Sequence, residues 1–507
     1  MTKSAPELSD TEEEADVIVV GGGGAGLAAA ITACEIGRSV ILIEKNPQIG
    51  GSTIWAVGTY TATATPHQIR RGIKDSPDLH FADLDLVNAR VVDCGPEDNL
   101  GLRRLLVDNS TDTLQWLMRM GLVFYGPTPE PPHRHPRMVS VLPNAGAFGY
   151  FLERRARRMG VDIRCRHTLQ SLVHDGTAVT GVECVTADGR TLRLRARGGV
   201  VLATGDFSGS AELKRRFGAL EAAEVQATNP AMTGDGHRLA LDIGAQVING
   251  HLLLALVRFV APPRTWIHSL PPWPVLTKFM RWSLEHMPLR LLKPLIMSFL
   301  TTIIGVYPNV FRSGAILVNK QGERFCDETK DPVFPLSRQP EQTAYIILDG
   351  VLGELFSTFP NFISTAPGVG YAYLPDYLRS RPDVARKADS VAALARAIGA
   401  EPHILEETVA ARKAEVSDGT KAYVHGPWYA LGPMRCYVNF TEGGLAISER
   451  MEVLREDGLA IPGLYAAGSV GQGGMLLEGH GHHLSWAFVS GRFAGRNAAF
   501  RVTSPAA

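Results

Sequence analysis

Two uninterrupted apolar runs open the chain. Residues 17–20 (Val-Ile-Val-Val) follow Asp16 without a polar break, and residues 40–43 (Val-Ile-Leu-Ile) follow Ser39 and close on Glu44. Runs of strand length that are apolar on both faces belong inside a parallel sheet covered above and below. Between them, residues 27–33 are small and helix-favouring, so a helix is predicted there. Later the period falls to two. Residues 171–173 and 179–185 alternate, Asp188-Gly189 reads as a turn and 191–194 follows, which makes 164–205 a β-rich excursion. Residues 313–325 read as two strands about a turn, and 345–349 as a short strand. Residues 389–398 read as an amphipathic helix with Val391, Leu394 and Ile398 inward. A last helix is expected over 484–499.

The stretch 266–307 fits none of these patterns. Trp273, Phe279, Trp282, Leu289, Leu291, Leu292 and the run 295–306 are interspersed with Lys278, Arg281, Arg290 and Lys293, against the single acid Glu285. Its uncharged run of about a dozen residues falls short of the ~20 that span a bilayer. Pro271, Pro272, Pro274, Pro288 and Pro294 divide it into short helices. It reads as a peripheral membrane contact or greasy substrate entrance, or else as a buried cap or subunit interface.

Composition narrows the class. With 507 residues, two to four domains are expected at about 150 residues each. Lys+Arg 51 balances Asp+Glu 51, so no whole-chain field favours nucleic acid and no such partner is expected. The 45% hydrophobic and 20% charged content excludes a disordered or collagen-like chain. Cys34, Cys94, Cys165, Cys184, Cys326 and Cys436 form no C-x-x-C pair, so reduced thiols in a reducing compartment are expected. The acidic first 17 residues lack the basic start and apolar run of a secretory signal, which makes cytoplasm the expected location.

The chemistry enters between the first strand and the helix. Gly21-Gly22-Gly23-Gly24-Ala25-Gly26 is a G-x-G-x-x-G turn. In it, Gly21 permits the tight turn, Gly23 lets the backbone reach a pyrophosphate, and Gly26 lets the helix sit close on the strand. The helix start at Gly24 and Ala25 offers N–H groups and a positive dipole end to phosphates. Glu44 ends the second strand 18 residues past Gly26, where an acid accepts ribose hydroxyls. Turn, helix, strand and acid in register predict dinucleotide binding.

Further segments resemble the flavoproteins of the succinate dehydrogenase/fumarate reductase superfamily. These are Lys45 with Gly50-Gly51-Ser52-Thr53, the strand end Ala203-Thr204-Gly205, Thr233-Gly234-Asp235-Gly236-His237, and 461–468 ending on Gly468. The resemblance implies an α/β fold. A discontinuous Rossmann-type FAD-binding domain, 10–248 and 441–507, would hold non-covalent FAD, and an α+β substrate or cap domain, 249–440, would be inserted. It places Gly21, Gly23, Gly24, Ala25, Gly26, Glu44, Lys45, Gly51, Ser52, Thr53, Ala203, Thr204, Gly205, Asp235, Gly468, His483 and Leu484 at the cofactor. It also aims the last helix, starting near Gly479-His480-Gly481-His482-His483, at the flavin, where its dipole stabilises the anionic reduced ring. These histidines read alternatively as surface-turn residues or neutral side chains packed by the cofactor. No acid or cysteine lies nearby in the chain to complete H-x-H-H as a ligand set, so no metal site is expected.

The substrate pattern departs from fumarate reductases. Glu478 stands where that family clamps a carboxylate with arginine, Phe440 stands where it has histidine, and Lys330 falls near another arginine position. A buried carboxylate without a cation is costly, so a dicarboxylate is not expected. Residues 441–445 (TEGGL) and 427–430 (PWYA) resemble the 3-ketosteroid dehydrogenase branch instead. That resemblance implies hydrogenation or dehydrogenation of the C–C bond α,β to a carbonyl in a hydrophobic, steroid- or terpenoid-like substrate. The Gly481 N–H, with His480 or His482, would hold the enolate oxygen, and Tyr429, Tyr125 or Lys330 would move the proton. The branch's tyrosine beside the glycine maps onto Leu477, and its base tyrosine falls near 330–334, where no tyrosine exists. Two other readings stand beside this one: an ene-reductase of an unsaturated acid, and a non-catalytic flavin-binding protein at a membrane. No second nicotinamide fingerprint occurs, so an external electron donor or acceptor is expected.

Overall fold

The structure is a computed structural model. It describes residues 11–92, 95–260, 269–288, 291–292, 297, 301, 305–366, 370–415 and 423–502. The two apolar runs become β1 (Thr11–Val20) and β2 (Val40–Glu44), parallel neighbours with Val17 opposite Val40 and Val20 opposite Ile43. The helix α1 (Gly24–Glu35) crosses between them and is buried from Gly24 to Ala33. Thr191–Leu202 pairs parallel on the other side of β1, Ala460–Ala466 beyond it, and Asp162–Cys165 outside β2. The sheet thus runs Ala460–Ala466, Thr191–Leu202, β1, β2, Asp162–Cys165, with Glu452–Leu454 added antiparallel at one edge. The carboxyl ends of four central strands, at Val20, Glu44, Leu202 and Ala466, open on one crevice, the position where such sheets bind ligands.

The β-rich excursion forms as expected: Thr168–His174, Val179–Val185 and Thr191–Leu202 pair antiparallel in turn. The expected hairpin over 313–325 does not. Ile316–Asn319 is a strand, but it pairs with Ala344–Leu348, and Arg324 makes only an isolated bridge to Val318. The Leu317 N–H, which an adjacent hairpin strand could have taken, donates instead to the Glu328 carboxylate at 2.8 Å, and Asn319 Oδ1 accepts from Gln321 and Glu323 N–H at 3.0 Å each. Ala344–Leu348 continues into Trp428–Thr441, which also pairs with Leu253–Phe259 and Ala385–Ala388. The helix expected over 389–398 is Val391–Ile398, capped by Ser390, whose hydroxyl accepts from Ala393 N–H at 3.2 Å.

The buried apolar residues fall in two clusters. One surrounds the parallel sheet, and the other runs from Ala222 to Val438 around the second sheet. Within the apolar stretch, Pro274–His286 is a helix that leaves Trp273, Phe279 and Trp282 exposed. Residues 266–268, 289–290, 293–296, 298–300 and 302–304 of that stretch lie outside the described residues. Among the described residues no helix is long and apolar enough to cross a membrane.

The last helix, His482–Phe500, is longer than expected by two residues at its start, and it lies on α1. A β-carbon on Gly491 would stand 2.3 Å from the Ala25 carbonyl oxygen, and one on Gly495 2.1 Å from that of Ala29. The two helices therefore touch backbone to backbone.

Candidate active site

An open cavity, about 800 Å³ with the solvent at its mouth included, lies at the carboxyl ends of the central strands. Its walls come from the glycine turn and first turn of α1, the end of β2, the 51–53 loop, the 203–206 strand end, Asp235 and Gly468–Ser469, with Ala487 of the last helix. Of the residues expected at the cofactor, Gly26, His483 and Leu484 lie outside this lining and the others line it. Gly26 acts beneath the floor: a β-carbon there would stand 1.9 Å from the Gly21 carbonyl oxygen, so it sets the helix against the turn.

The glycines separate into two kinds. Gly21 has φ +106° and no room, its β-carbon falling 2.3 Å from the Ala203 oxygen. Gly23 has φ −75°, ψ −174°, extended backbone that any residue adopts, and its β-carbon would meet no chain atom nearer than 4.0 Å. Neither conformation nor packing within the chain calls for glycine at 23; an outside group approaching the backbone does. The Thr204 hydroxyl points the same way, buried in the cavity wall with no hydrogen-bond partner. Around this floor, Glu44 accepts from Gly22 N–H at 2.7 Å and Asn46 N–H at 2.8 Å. The Lys45 ammonium bridges Asp235 at 2.8 Å and Thr233 at 2.6 Å, tying the second glycine loop to β2. A backbone cradle, a strand-end acid and a helix N-terminus fit a dinucleotide such as FAD.

The other end of the crevice is set by the last helix. Gly481, at φ +92°, is its N-cap, and a β-carbon there would press on Thr61, whose hydroxyl donates to the His480 carbonyl at 2.7 Å. His480 is exposed, and its imidazole and N–H both contact the Glu130 carboxylate, the N–H at 2.8 Å. His482 is fully buried; its Nδ1 donates to the Glu478 carbonyl at 2.6 Å, and burial pulls its pKa down to about 3.

His483 behaves oppositely. Its Nε2 lies 3.2 Å from the buried Glu442 carboxylate, and its ring centroid is 4.1 Å from that of Phe440 with the planes tilted by 49°. Burial alone lowers its pKa, but the carboxylates of Glu442, Glu478 and Asp206 outweigh burial and hold it above 6.5. The Gln472 amide donates to Glu442 and, at 2.9 Å, to the Met475 carbonyl, which fixes the carboxylate. Asp206, a cavity residue, is pushed up by burial, partly offset by the Ser208 hydroxyl at 2.6 Å.

The proposed proton carriers do not gather here. Lys330 is 81% exposed on a turn, 3.5 Å from Asp327. Tyr429 is the second residue of the long strand Trp428–Thr441, about 40 Å from its end at ~3.3 Å per residue, and packs near Lys387 and the Gly353 backbone. Both expectations are corrected: neither side chain reaches the crevice. Tyr125 sits in Val123–Thr128, paired opposite Ser140 and just before the loop that carries Glu130 and His133. Glu442, Gln472, Asp206 and Glu130 were not foreseen; the one signal for Glu442 was an acid set among the glycines of 441–445.

The profile of the FAD binding domain family matches residues 16–264 and 306–477. A urocanate reductase of Eggerthella lenta is 29% identical over 513 residues, covering 98% of this chain and 76% of the relative. The open conformation of a flavocytochrome c3 fumarate reductase has a TM-score of 0.73 at 24% identity, over 97% of this chain and 79% of that one. The 3-ketosteroid-Δ4-(5α)-dehydrogenase of Rhodococcus jostii RHA1, solved with 4-androstene-3,17-dione, has a TM-score of 0.61 at 23% identity, over 98% and 99%. Both structural likenesses concern the fold.

Gly23→Val should fold with unchanged circular dichroism yet lose FAD about tenfold or more, since each ~1.4 kcal/mol of lost contact is tenfold in affinity. Gly26→Val should fail to fold, its side chain having no space. Flavin absorbance per protein after gel filtration checks both. Full retention of FAD by Gly23→Val would refute the cradle.

Proposed function

The chain belongs to the FAD binding domain family and is an FAD-dependent oxidoreductase; we propose that it adds hydrogen to, or removes it from, the C–C bond beside a carbonyl in an uncharged, hydrophobic, steroid- or terpenoid-like substrate. The observation that carries this reading is the charge around His483. Three carboxylates, Glu442, Glu478 and Asp206, face it, and a carboxylate substrate would add a fourth negative charge at a poorly solvated place.

When bound, FAD supplies the hydride acceptor or donor. The chain supplies the proton and the charge stabilisation. With Nε2 committed to Glu442, the Nδ1 of His483 hands a proton to the carbon beside the carbonyl during reduction, and the neutral ring takes it back during oxidation. Glu442 keeps the ring charged and oriented, and Gln472 orients Glu442. The Gly481 turn and the positive end of the last helix stabilise the enolate oxygen. Turnover then needs an external electron partner.

A second proposal concerns Pro274–His286. Trp273, Phe279 and Trp282 are 62%, 59% and 51% exposed, with Lys278 and Arg281 among them, the pattern of a helix seated on an anionic membrane surface. A lipophilic substrate would be drawn from such a surface.

Anaerobic mixing tests the substrate. The yellow protein should bleach with saturated cyclic ketones, or the chemically reduced protein should regain colour with cyclic enones, while fumarate and urocanate leave it unchanged. Recolouring by those acids alone would favour the unsaturated-acid reading, and no change with any carbonyl compound would sink the proposal. His483→Phe should lower kcat about a hundredfold or more with FAD retained. Reduction should be constant at low pH and decline as pH rises through the His483 pKa, which lies above 6.5. Glu442→Gln should shift that decline to lower pH, because the attraction holding the proton is gone. An unmoved profile would remove His483 from the proposed role. Vesicles containing phosphatidylserine should co-sediment the protein, and Phe279→Ser with Trp282→Ser should release it. Absence of binding by the unaltered protein would refute the membrane contact.

A further inference from the structure

We infer that His80, His133 and His482 form a binding site for a borderline divalent cation, zinc foremost. The inference is independent of the substrate proposal. The residues next to His482 in the chain offer no ligand set, whereas the fold brings His80 from 402 positions away and His133 from a third segment.

Geometry carries it. One nitrogen from each ring lies within 4.8 Å of the others. The ring centroids form a near-equilateral triangle with sides of 5.6, 5.4 and 5.3 Å. Three imidazoles bound tetrahedrally at ~2 Å place their centroids about 5 Å apart. His80 Nε2 and His482 Nε2 are already 3.2 Å apart, near the ~3.3 Å separation of two nitrogens on one tetrahedral zinc.

The surroundings are those of a ligand set. The Nδ1 of His482 donates to the Glu478 carbonyl, which leaves its Nε2 lone pair for the cluster. The Arg137 guanidinium donates to Nδ1 of His133 at 3.0 Å, so the neutral ring carries its proton on Nε2, a nitrogen with no hydrogen-bond partner, and a metal takes Nε2 by displacing that proton. His80 is buried, and its Nδ1 also lacks a partner. Burial holds the rings neutral rather than imidazolium, with pKa values of about 4 at His133 and about 3 at His482, and His80 well below 6.5.

The arginines beside the cluster, of which Arg137 disfavours positive charge at His80 and His133, are each paired with carboxylates. Arg137 is paired with Asp75 and Asp83, Arg134 with Asp83, and Arg104 with Asp78 and Asp108. The remaining acid is Glu130, which faces His482 and has Oε2 buried without a hydrogen-bond partner. A cation here would pin Pro77–Val92, the His133 loop and the first turn of the last helix together.

The test uses the FAD-loaded protein, dialysed against zinc and desalted, with metal measured per flavin. About one zinc per flavin is expected. His80→Ala and His133→Ala should each weaken binding about tenfold or more, while His67→Ala, at a buried histidine outside the cluster, keeps it. Zinc should raise the melting temperature of the unaltered protein. Cobalt(II) should add d–d bands to the red of the flavin absorption, and equal flavin content certifies the fold of each variant. No retained zinc and no thermal shift in the unaltered protein would overturn the inference, as would equal zinc in all variants, the mark of adventitious binding.

Discussion

The contact between α1 and the last helix is the constraint on which the rest depends. Gly491 and Gly495 meet the carbonyls of Ala25 and Ala29 at distances that admit no β-carbon. A helix of ordinary side chains packs at 8–10 Å from its neighbour; two glycines and an alanine-rich partner let these backbones touch. The first turn of α1 and Ala487 of the last helix then line one cavity. A cofactor that spans the sheet can therefore meet the positive end of one helix at its phosphates and of the other at its redox ring. The two ends of the chain build the site jointly because glycine is placed where they cross.

The fold's first half was legible because its signals are local. The turn 21–26, the apolar runs and Glu44 each impose a chain-neighbour geometry, and the strands, helix and cavity lining follow from them. Failures came where partners are remote. Ile316–Asn319 pairs with Ala344–Leu348 because Glu328 takes the Leu317 N–H, and no spacing rule sees that carboxylate coming. Tyr429 and Lys330 enter only through the resemblance to a family pattern. In the chain itself, the strand carrying Tyr429 is too long, and the turn carrying Lys330 too exposed, for either to serve. The acids and histidines that do gather, Glu442, Asp206, His80 and His133, come from segments that share no periodicity with the last helix.

The electrostatics of that helix start need an explanation, because a helix N-terminus disfavours a cation. Neighbouring side chains resolve the conflict. Successive residues in a helix point about 100° apart, so His482 and His483, adjacent in sequence, face different environments. His482 turns into a closed set of imidazoles, where burial favours its neutral form; His483 turns toward Glu442, Glu478 and Asp206, which hold its proton more tightly than a free imidazole does.

That divergence makes a single helical turn do two kinds of work. The neutral ring can donate its lone pair to a cation, and the ring whose proton is held more tightly can act as the acid. Neither property belongs to histidine as such, since an exposed imidazole sits between the two near 6.5. Both are set by which carboxylates and which buried surface each ring is turned toward. The glycine at 481 permits the turn into the helix at φ +92°, and Thr61 fixes where that turn begins. Moving the helix start by one residue would turn both rings by about 100° out of their present surroundings, so the register of this turn decides the chemistry of both histidines.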